Sequence, residues 1–137
     1  PLESWLKARL NAKDGIDYVP FLPSFRQVAE AYNQAKVVVC ASFAEGGPRF
    51  VVEAMACGLP AVSTPVGLMG EIIKNGETGF LLQSWSPQEM AEKIAALLES
   101  AELYRRCSER AIQVASRFDY QRVIAEYAFA YQRLLEA

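Results

Sequence analysis

Short apolar runs alternate with amphipathic stretches along this chain. Four of the runs have the length and composition of β-strands, and we predict strands over 16–22, 37–41, 61–63 and 79–82. Elsewhere apolar residues recur every three or four positions, as they do on one face of a helix. This spacing predicts helices over 1–12, 70–74, 101–118 and 120–135, two more that begin after Ser24 and Ser86, and a central helix over 50–57. Strands that alternate with helices indicate an α/β fold with a doubly wound parallel sheet.

Two of the helix starts carry capping signals. Ser24 is followed three residues later by Gln27, and Ser86 by Pro87 and Glu89, which are the residue types of a capping box. We expect the apolar stripes of the helices to lie in the core. On the helix after Ser24 the stripe is Phe25, Val28, Ala31 and Tyr32, and on the last helix it is Val123, Tyr127, Tyr131 and Leu134.

The stretch from Cys40 to Thr64 organises the chain, because it reads as strand, glycine loop, helix and strand. Its letters are C-A-S-F-A-E-G-G-P-R-F-V-V-E-A-M-A-C-G-L-P-A-V-S-T. Pro48 suits the first position of the central helix, where its missing N–H would have no partner. Gly58 suits the position just past that helix, where the backbone turns left-handed.

Two charged residues on the central helix require an explanation. Glu53 is the one ionisable residue between Phe50 and Leu59, and a carboxylate on an apolar helix is costly unless something pairs with it. It either reaches solvent, pairs with Arg49 one turn earlier, or accepts hydrogen bonds from a polyol ligand. Arg49 lies at the positive end of the helix dipole, which becomes favourable when an anion binds there. The Gly46-Gly47 loop is therefore a candidate anion site.

Three blocks of the chain resemble one enzyme family. The block from Glu45 to Thr64 contains Glu45 and Glu53 in the spacing E-x7-E, and it resembles the motif of retaining glycosyltransferases with two Rossmann-like domains, the GT-B fold. The similarity is greatest to glycosyltransferase family 4. V-P-F-L-P upstream and V-G-L-M-G-E-I-I-K-N-G-E-T-G-F-L-L downstream resemble the neighbouring blocks of that family. Pro48 and Leu68 depart from its usual E-G-F-G and V-G-G patterns.

The resemblance implies a role for each candidate residue. Glu45 would be catalytic, contacting the hydroxyls of the transferred sugar, and Glu53 would bond the ribose hydroxyls of the donor. Gly46, Gly47 and Arg49 would present backbone N–H groups to the sugar and diphosphate, and the backbone around Leu22 would border the base. The donor would be a UDP- or GDP-sugar, with no cofactor and no bound metal.

The resemblance also implies that residues 1–137 are part of a larger unit. They correspond to a partial C-terminal, donor-binding domain whose first two strands are missing, and the acceptor site would lie mainly on an absent N-terminal domain. In the strand order 3-2-1-4-5-6 the missing strands lie between 16–22 and 37–41. Such a gap leaves backbone groups unpaired, and we expect the chain alone to be inactive.

Composition excludes some kinds of ligand and catalytic site. The chain has 137 residues and a net charge of −2, which gives no indication of nucleic-acid binding. It contains no histidine, so triads with a histidine base are excluded. Cys40, Cys57 and Cys107 are widely spaced in apolar contexts and are predicted to be buried, reduced thiols. No apolar stretch is long enough to span a bilayer. We expect a cytoplasmic protein, or one held at a membrane through the N-terminal domain.

Two other functions fit the same residues. One is a nucleotide-sugar 2-epimerase of the same architecture, and the other is a non-catalytic domain that binds a nucleotide sugar or only a partner. The sequence does not identify the sugar, the base, the acceptor or the oligomeric state.

Overall fold

The computed structural model describes residues 15–19 and 21–136. Its helices and strands, in chain order, are α1 (Phe25–Gln34), β1 (Val38–Cys40), α2 (Arg49–Ala56), β2 (Ala61–Ser63), α3 (Met69–Ile72), β3 (Gly79–Leu81), α4 (Pro87–Glu99), α5 (Ala101–Ala115), the 3-10 turn Ser116–Phe118, and α6 (Tyr120–Leu135). The predicted helix over 1–12 lies outside the described residues.

The three strands form one parallel sheet in the order β1-β2-β3. Val38 pairs with Ala61, and Ala61 pairs with Gly79. Because the strands are parallel and in register, their carboxyl ends lie along one edge of the sheet. Helices cover both faces, so the predicted α/β, doubly wound parallel arrangement is confirmed for these strands.

Two apolar clusters hold the helices to the sheet. On one face, Val38 and Ala61 pack with Val51 and Met55 of α2 and with Ala111 of α5. The opposite face of the sheet carries a smaller cluster, in which Val62 and Leu82 pack with Leu97 of α4 and Cys107 of α5. The alternation of these side chains along each strand explains why both faces are apolar.

The predicted strand over 16–22 is wrong for the part of it that the structure describes. Residues 16–19 and 21–22 have no regular secondary structure, and Phe21 is 90% exposed. A strand needs a neighbour to pair with its backbone, and none of the described strands lies beside this segment. This outcome follows from the gap between 16–22 and 37–41 that the resemblance implied.

The capping predictions are largely confirmed. The Ser24 hydroxyl accepts a hydrogen bond from the Gln27 N–H, and the Ser86 hydroxyl accepts one from the Glu89 N–H. The Glu89 carboxylate does not complete the usual box, because it bonds Gln83 and Ser84 instead. Pro48 was predicted at the first helical position of α2. It is instead the N-cap, so the helix begins one residue later, at Arg49. Gly58 has φ +83°, as predicted for the end of this helix.

Two predicted core stripes are not fully buried. No residue of α1 or of α6 is buried, and Phe25 and Tyr131 are among the large apolar side chains that face solvent. The periodicity predicted the helices correctly. Val28, Ala31 and Tyr32 of α1 are half-buried, and Tyr32 packs against the core, whereas the stripe of α6 is exposed except for the half-buried Val123. One side of α2 is also open, so Phe50 and Ala56 are exposed.

Candidate functional site

The glycine loop lies at the carboxyl end of β1 and leads directly into α2. Pro48 is the N-cap, and among the described residues no side chain caps this helix. The first N–H groups of a helix have no partner within it. The start of α2 therefore offers backbone donors and the positive end of a helix dipole, which together favour an anion.

The loop is held in place by the connection after β2. The Leu68 N–H donates to the Gly46 carbonyl at 3.2 Å. Gly67 has φ +47°, and a Cβ atom at this position would lie 2.2 Å from the Gly46 carbonyl oxygen. Only glycine fits so close to the loop, and the bond from Leu68 holds the Gly46 carbonyl in place.

Both oxygens of the Glu53 carboxylate have a partner. Arg49 Nε lies 3.2 Å from Oε1, and the Tyr32 hydroxyl donates to Oε2 at 3.3 Å. Burial raises the pKa of Tyr32 to about 12, and the negative charge of Glu53 adds to this effect. The pairing with Arg49 that the sequence left open is thus present. It still leaves the Glu53 side chain 37% exposed, so the carboxylate remains open to a further donor.

Three of the predicted residues share one cavity. Leu22, Arg49 and Glu53 line a cavity of about 260 Å³. Its other lining residues are Phe21, Pro23, Ser24, Phe25 and Val28. An adjoining, mainly apolar cavity of about 210 Å³ lies between α1 and α2, beside Tyr32 and Cys57. The combination of apolar walls with a carboxylate and a guanidinium suits an aromatic ring that carries polar groups.

Glu45 and the two glycines lie apart from this cavity. All three are exposed on the loop, and none of them lines the cavity that contains Glu53. The Ser42 hydroxyl donates to Glu45 Oε1 at 3.1 Å. The structure therefore places the predicted residues in two groups, one on the loop before α2 and one beside its first two turns.

Three residues near the site were missed as polar contacts. Tyr32 was expected to be a core residue, but its hydroxyl bonds Glu53. Ser42 and Trp85 follow β1 and β3, and the Trp85 indole N–H donates to the Ser42 carbonyl at 3.4 Å. Their positions after the carboxyl ends of two strands were the available signal, since ligands bind at that edge of α/β sheets.

The described cysteines and acidic residues form neither a disulfide nor a metal site. Cys40 and Cys107 are buried, whereas Cys57 is half-buried, and all three are free thiols. Within residues 15–19 and 21–136, no group of three cysteines and carboxylates could hold a metal ion. None of the helices in these ranges has the length and apolar character that crossing a membrane requires.

Solved structures define the class of protein. A sucrose-phosphate synthase from Thermosynechococcus elongatus superposes on 98% of this chain with a TM-score of 0.82, at 23% identity and over 34% of its own length. The C-terminal domain of a glycosyl transferase group 1 family protein from Francisella tularensis superposes on 84% of the chain with a TM-score of 0.69, at 25% identity and over 60% of its length. The fold is thus the Rossmann-like C-terminal domain of a GT-B glycosyltransferase.

The family follows from the sequence. The model of the family described as glycosyl transferases group 1 matches residues 2–114, and this chain belongs to that family. It is 32% identical over 120 residues to N-acetyl-alpha-D-glucosaminyl L-malate synthase of Bacillus anthracis, covering 87% of the chain and 32% of that protein. It is 30% identical over 131 residues to D-inositol 3-phosphate glycosyltransferase 2 of Catenulispora acidiphila, covering 96% of the chain and 30% of that protein. The chain spans about a third of the length of these relatives.

Proposed function

We propose that this chain is the donor-binding part of a retaining glycosyltransferase that transfers a sugar from a nucleoside diphosphate sugar to an acceptor. The observation that carries the proposal is the position of Glu53. This carboxylate is held on both oxygens, is still partly exposed, and lines a cavity at the uncapped end of α2. Membership of the glycosyl transferases group 1 family supports the reaction class.

Each residue has a role in this proposal. The base of the donor lies against the backbone around Leu22, and the ribose hydroxyls donate to Glu53. The diphosphate lies at the start of α2, where the N–H groups of Gly46, Gly47 and Arg49 face it. Glu45 contacts the sugar from the outer side of the loop.

The chemistry is mainly positioning and charge stabilisation. As the bond between sugar and phosphate breaks, negative charge grows on the departing diphosphate. Preorganised backbone donors and the helix dipole stabilise that charge without reorganising during the reaction. No side chain is assigned as a covalent nucleophile, and no resident metal or cofactor is part of the proposal.

A second region completes the enzyme. The curated relatives are about three times as long as the matched segment. We infer that the acceptor binds to an N-terminal domain outside this chain, and that the enzyme is cytoplasmic or attached to a membrane surface through that domain.

Calorimetry of the chain with UDP and GDP, with and without a chelator, tests the donor site. We expect binding of at least one nucleotide that does not depend on the chelator. Glu53→Ala should weaken it by about 1–3 kcal/mol, between about fivefold and 150-fold, because hydrogen bonds to a charged acceptor are lost. Binding abolished by the chelator would contradict the metal-free site.

Glu30→Ala is the matched control for Glu53→Ala. Arg26 and Glu30 form an exposed pair on α1 with the same four-residue spacing as Arg49 and Glu53. Losing that pair should leave nucleotide affinity unchanged. If Glu53→Ala lowers the melting temperature sharply while the folded protein keeps its affinity, Glu53 is only a structural partner of Arg49 and Tyr32.

A further inference from the structure

Connections that follow all three strands meet at one backbone carbonyl. The Ser42 carbonyl, just after β1, accepts a hydrogen bond of 2.6 Å from the Thr64 hydroxyl, just after β2. It accepts a second from the indole N–H of Trp85, which follows β3. Thr64 is buried, so its bond fixes the base of the glycine loop. The bond from Trp85 approaches from the solvent side.

Trp85 makes a second contact with the same loop. Its ring stacks on that of Phe43, with ring centroids 6.2 Å apart and planes 12° from parallel. This separation is in the range of an offset-stacked aromatic pair. Phe43 is 81% exposed and Trp85 49%, so the ring pair lies at the surface. Residues 42 and 43 are thus held both by a hydrogen bond and by a ring contact.

The segment that carries Trp85 is itself anchored. The carboxylate of Glu89, in the first turn of α4, accepts from the Gln83 N–H at 2.8 Å and from the Ser84 N–H at 3.1 Å. The Ser84 hydroxyl donates to the same carboxylate at 2.7 Å. These bonds tie residues 83 and 84 to a helix that packs on the sheet. Trp85 therefore projects from a fixed support, not from a free loop.

From these contacts we propose that Trp85 is a positioning residue, which holds the loop from Ser42 to Gly47 and thereby sets the position of the Glu45 carboxylate. The link to Glu45 is the Ser42 hydroxyl, which donates to it three residues along the loop. The effect on catalysis rests on the proposed role of Glu45, whereas the effect on the loop does not. Trp85 touches neither the cavity around Glu53 nor the start of α2 in the described contacts, so it acts on the sugar end of the site.

The test compares Trp85→Ala with Trp85→Phe in the full-length protein. Phenylalanine keeps the ring contact with Phe43 but has no N–H for the Ser42 carbonyl, so its effect should be intermediate. Leu98→Ala is the control, because Leu98 is a similarly exposed apolar residue at the other end of α4. Thr64 still holds the loop base in each variant, and we expect all of them to fold.

Hydrogen exchange gives a readout that is independent of activity. The Leu68 N–H donates to the Gly46 carbonyl of the loop, and Trp85→Ala should speed the exchange of this amide by about tenfold, the factor that corresponds to 1.4 kcal/mol. Exchange at Leu68 should be unchanged by Leu98→Ala. Unaltered exchange in Trp85→Ala would overturn the proposal even if the wild-type protein is an active transferase.

Kinetics then separate positioning from direct contact. Trp85→Ala should lower kcat about tenfold or more, with the affinity for bare UDP or GDP unchanged. A higher KM for the acceptor with normal kcat would make the aromatic pair an acceptor contact and contradict the proposal. If exchange speeds up but the wild-type protein transfers no sugar, Trp85 still holds the loop and the proposed function fails.

Discussion

Single residues at this site are defined by what they touch. Glu53 has two protein partners and a cavity beside it, whereas within the described part of the chain Glu45 has only the Ser42 hydroxyl. The first is a preformed acceptor, and the second is an exposed carboxylate whose position depends on its loop. This difference predicts different kinetic effects for the two acids.

Glu45→Gln in the full-length enzyme should lower kcat by roughly a hundredfold or more, the size expected for losing one well-placed electrostatic contact in the transition state. Affinity for the bare nucleoside diphosphate should hardly change, because in the proposed complex Glu45 contacts the sugar. Steady-state kinetics and calorimetry on the same preparation check both values. Near-normal kcat would make Glu45 a solvated loop acid, and a parallel loss of nucleotide affinity would move it to the nucleotide.

Gly67→Ala should disturb the loop by steric contact alone. The new Cβ would lie 2.2 Å from the Gly46 carbonyl oxygen, at φ +47°. We expect a loss of stability of about 1–3 kcal/mol, together with weaker nucleotide binding as the loop shifts. Gly70→Ala is the control, since its Cβ would meet no atom within 4 Å. Equal stability of the two variants in chemical denaturation would show that the loop yields easily.

At the scale of elements, the start of α4 controls more than its own helix. Glu89 bonds the two residues before Trp85 rather than completing the cap of its own helix. These bonds, first that from the Gln83 N–H, hold the pKa of the Glu89 carboxyl below its usual value of 4.5. The ionised carboxylate is thus the form that the fold favours.

The sign of the pH effect follows from that direction. A carboxyl whose pKa is lower in the folded state stabilises the protein above pH 4.5, and this contribution is lost as the pH falls through the lower, folded pKa. Glu89→Gln should therefore lower stability at neutral pH and flatten its decline in acid. Thermal melts between neutral and acidic pH measure both effects. Glu92→Gln on the same helix, which bonds neither Gln83 nor Ser84, should keep the acid decline of the wild type.

The sequence predicted those elements whose signals are local. Ser24, Ser86 and Gly58 mark helix ends through bonds and backbone angles within a few residues, and the structure has each of them as predicted. The strand over 16–22 failed because a strand requires a distant partner, which apolar composition does not reveal. Leu22, Arg49 and Glu53 line one cavity, and their roles in it stay predictions. The bond from Trp85 to Ser42 spans 43 positions along the chain, so no local pattern could predict it.

At the scale of the whole molecule, apolar surface is left without a described partner. One edge of the sheet, at β1, has no strand beside it among the described residues. The helix α6 exposes a long row of apolar side chains, namely Tyr120, Ile124, Tyr127, Phe129, Tyr131, Leu134 and Leu135. An exposed apolar surface of this extent is unusual for a monomeric protein. It agrees with the short span of this chain relative to its matched relatives.

The purified 137-residue chain should therefore show no glycosyl transfer, even if it binds nucleotide. Holding donor and acceptor together is a large part of such catalysis, and in our proposal the acceptor is held elsewhere. Incubation with UDP- and GDP-sugars and analysis of products by mass spectrometry check this. The full-length protein serves as the positive control. Measurable turnover by the short chain would show that the acceptor site has been misplaced.

The meeting of three connections at the Ser42 carbonyl also bears on how the glycine loop can be re-engineered. Here Thr64 and Trp85 bond one carbonyl of the glycine loop, and the backbone of Gly67 lies close against Gly46 of that loop. A transplanted glycine loop would meet the old partners in the wrong places. The connections after β1, β2 and β3 should therefore be replaced together, with those of a single relative.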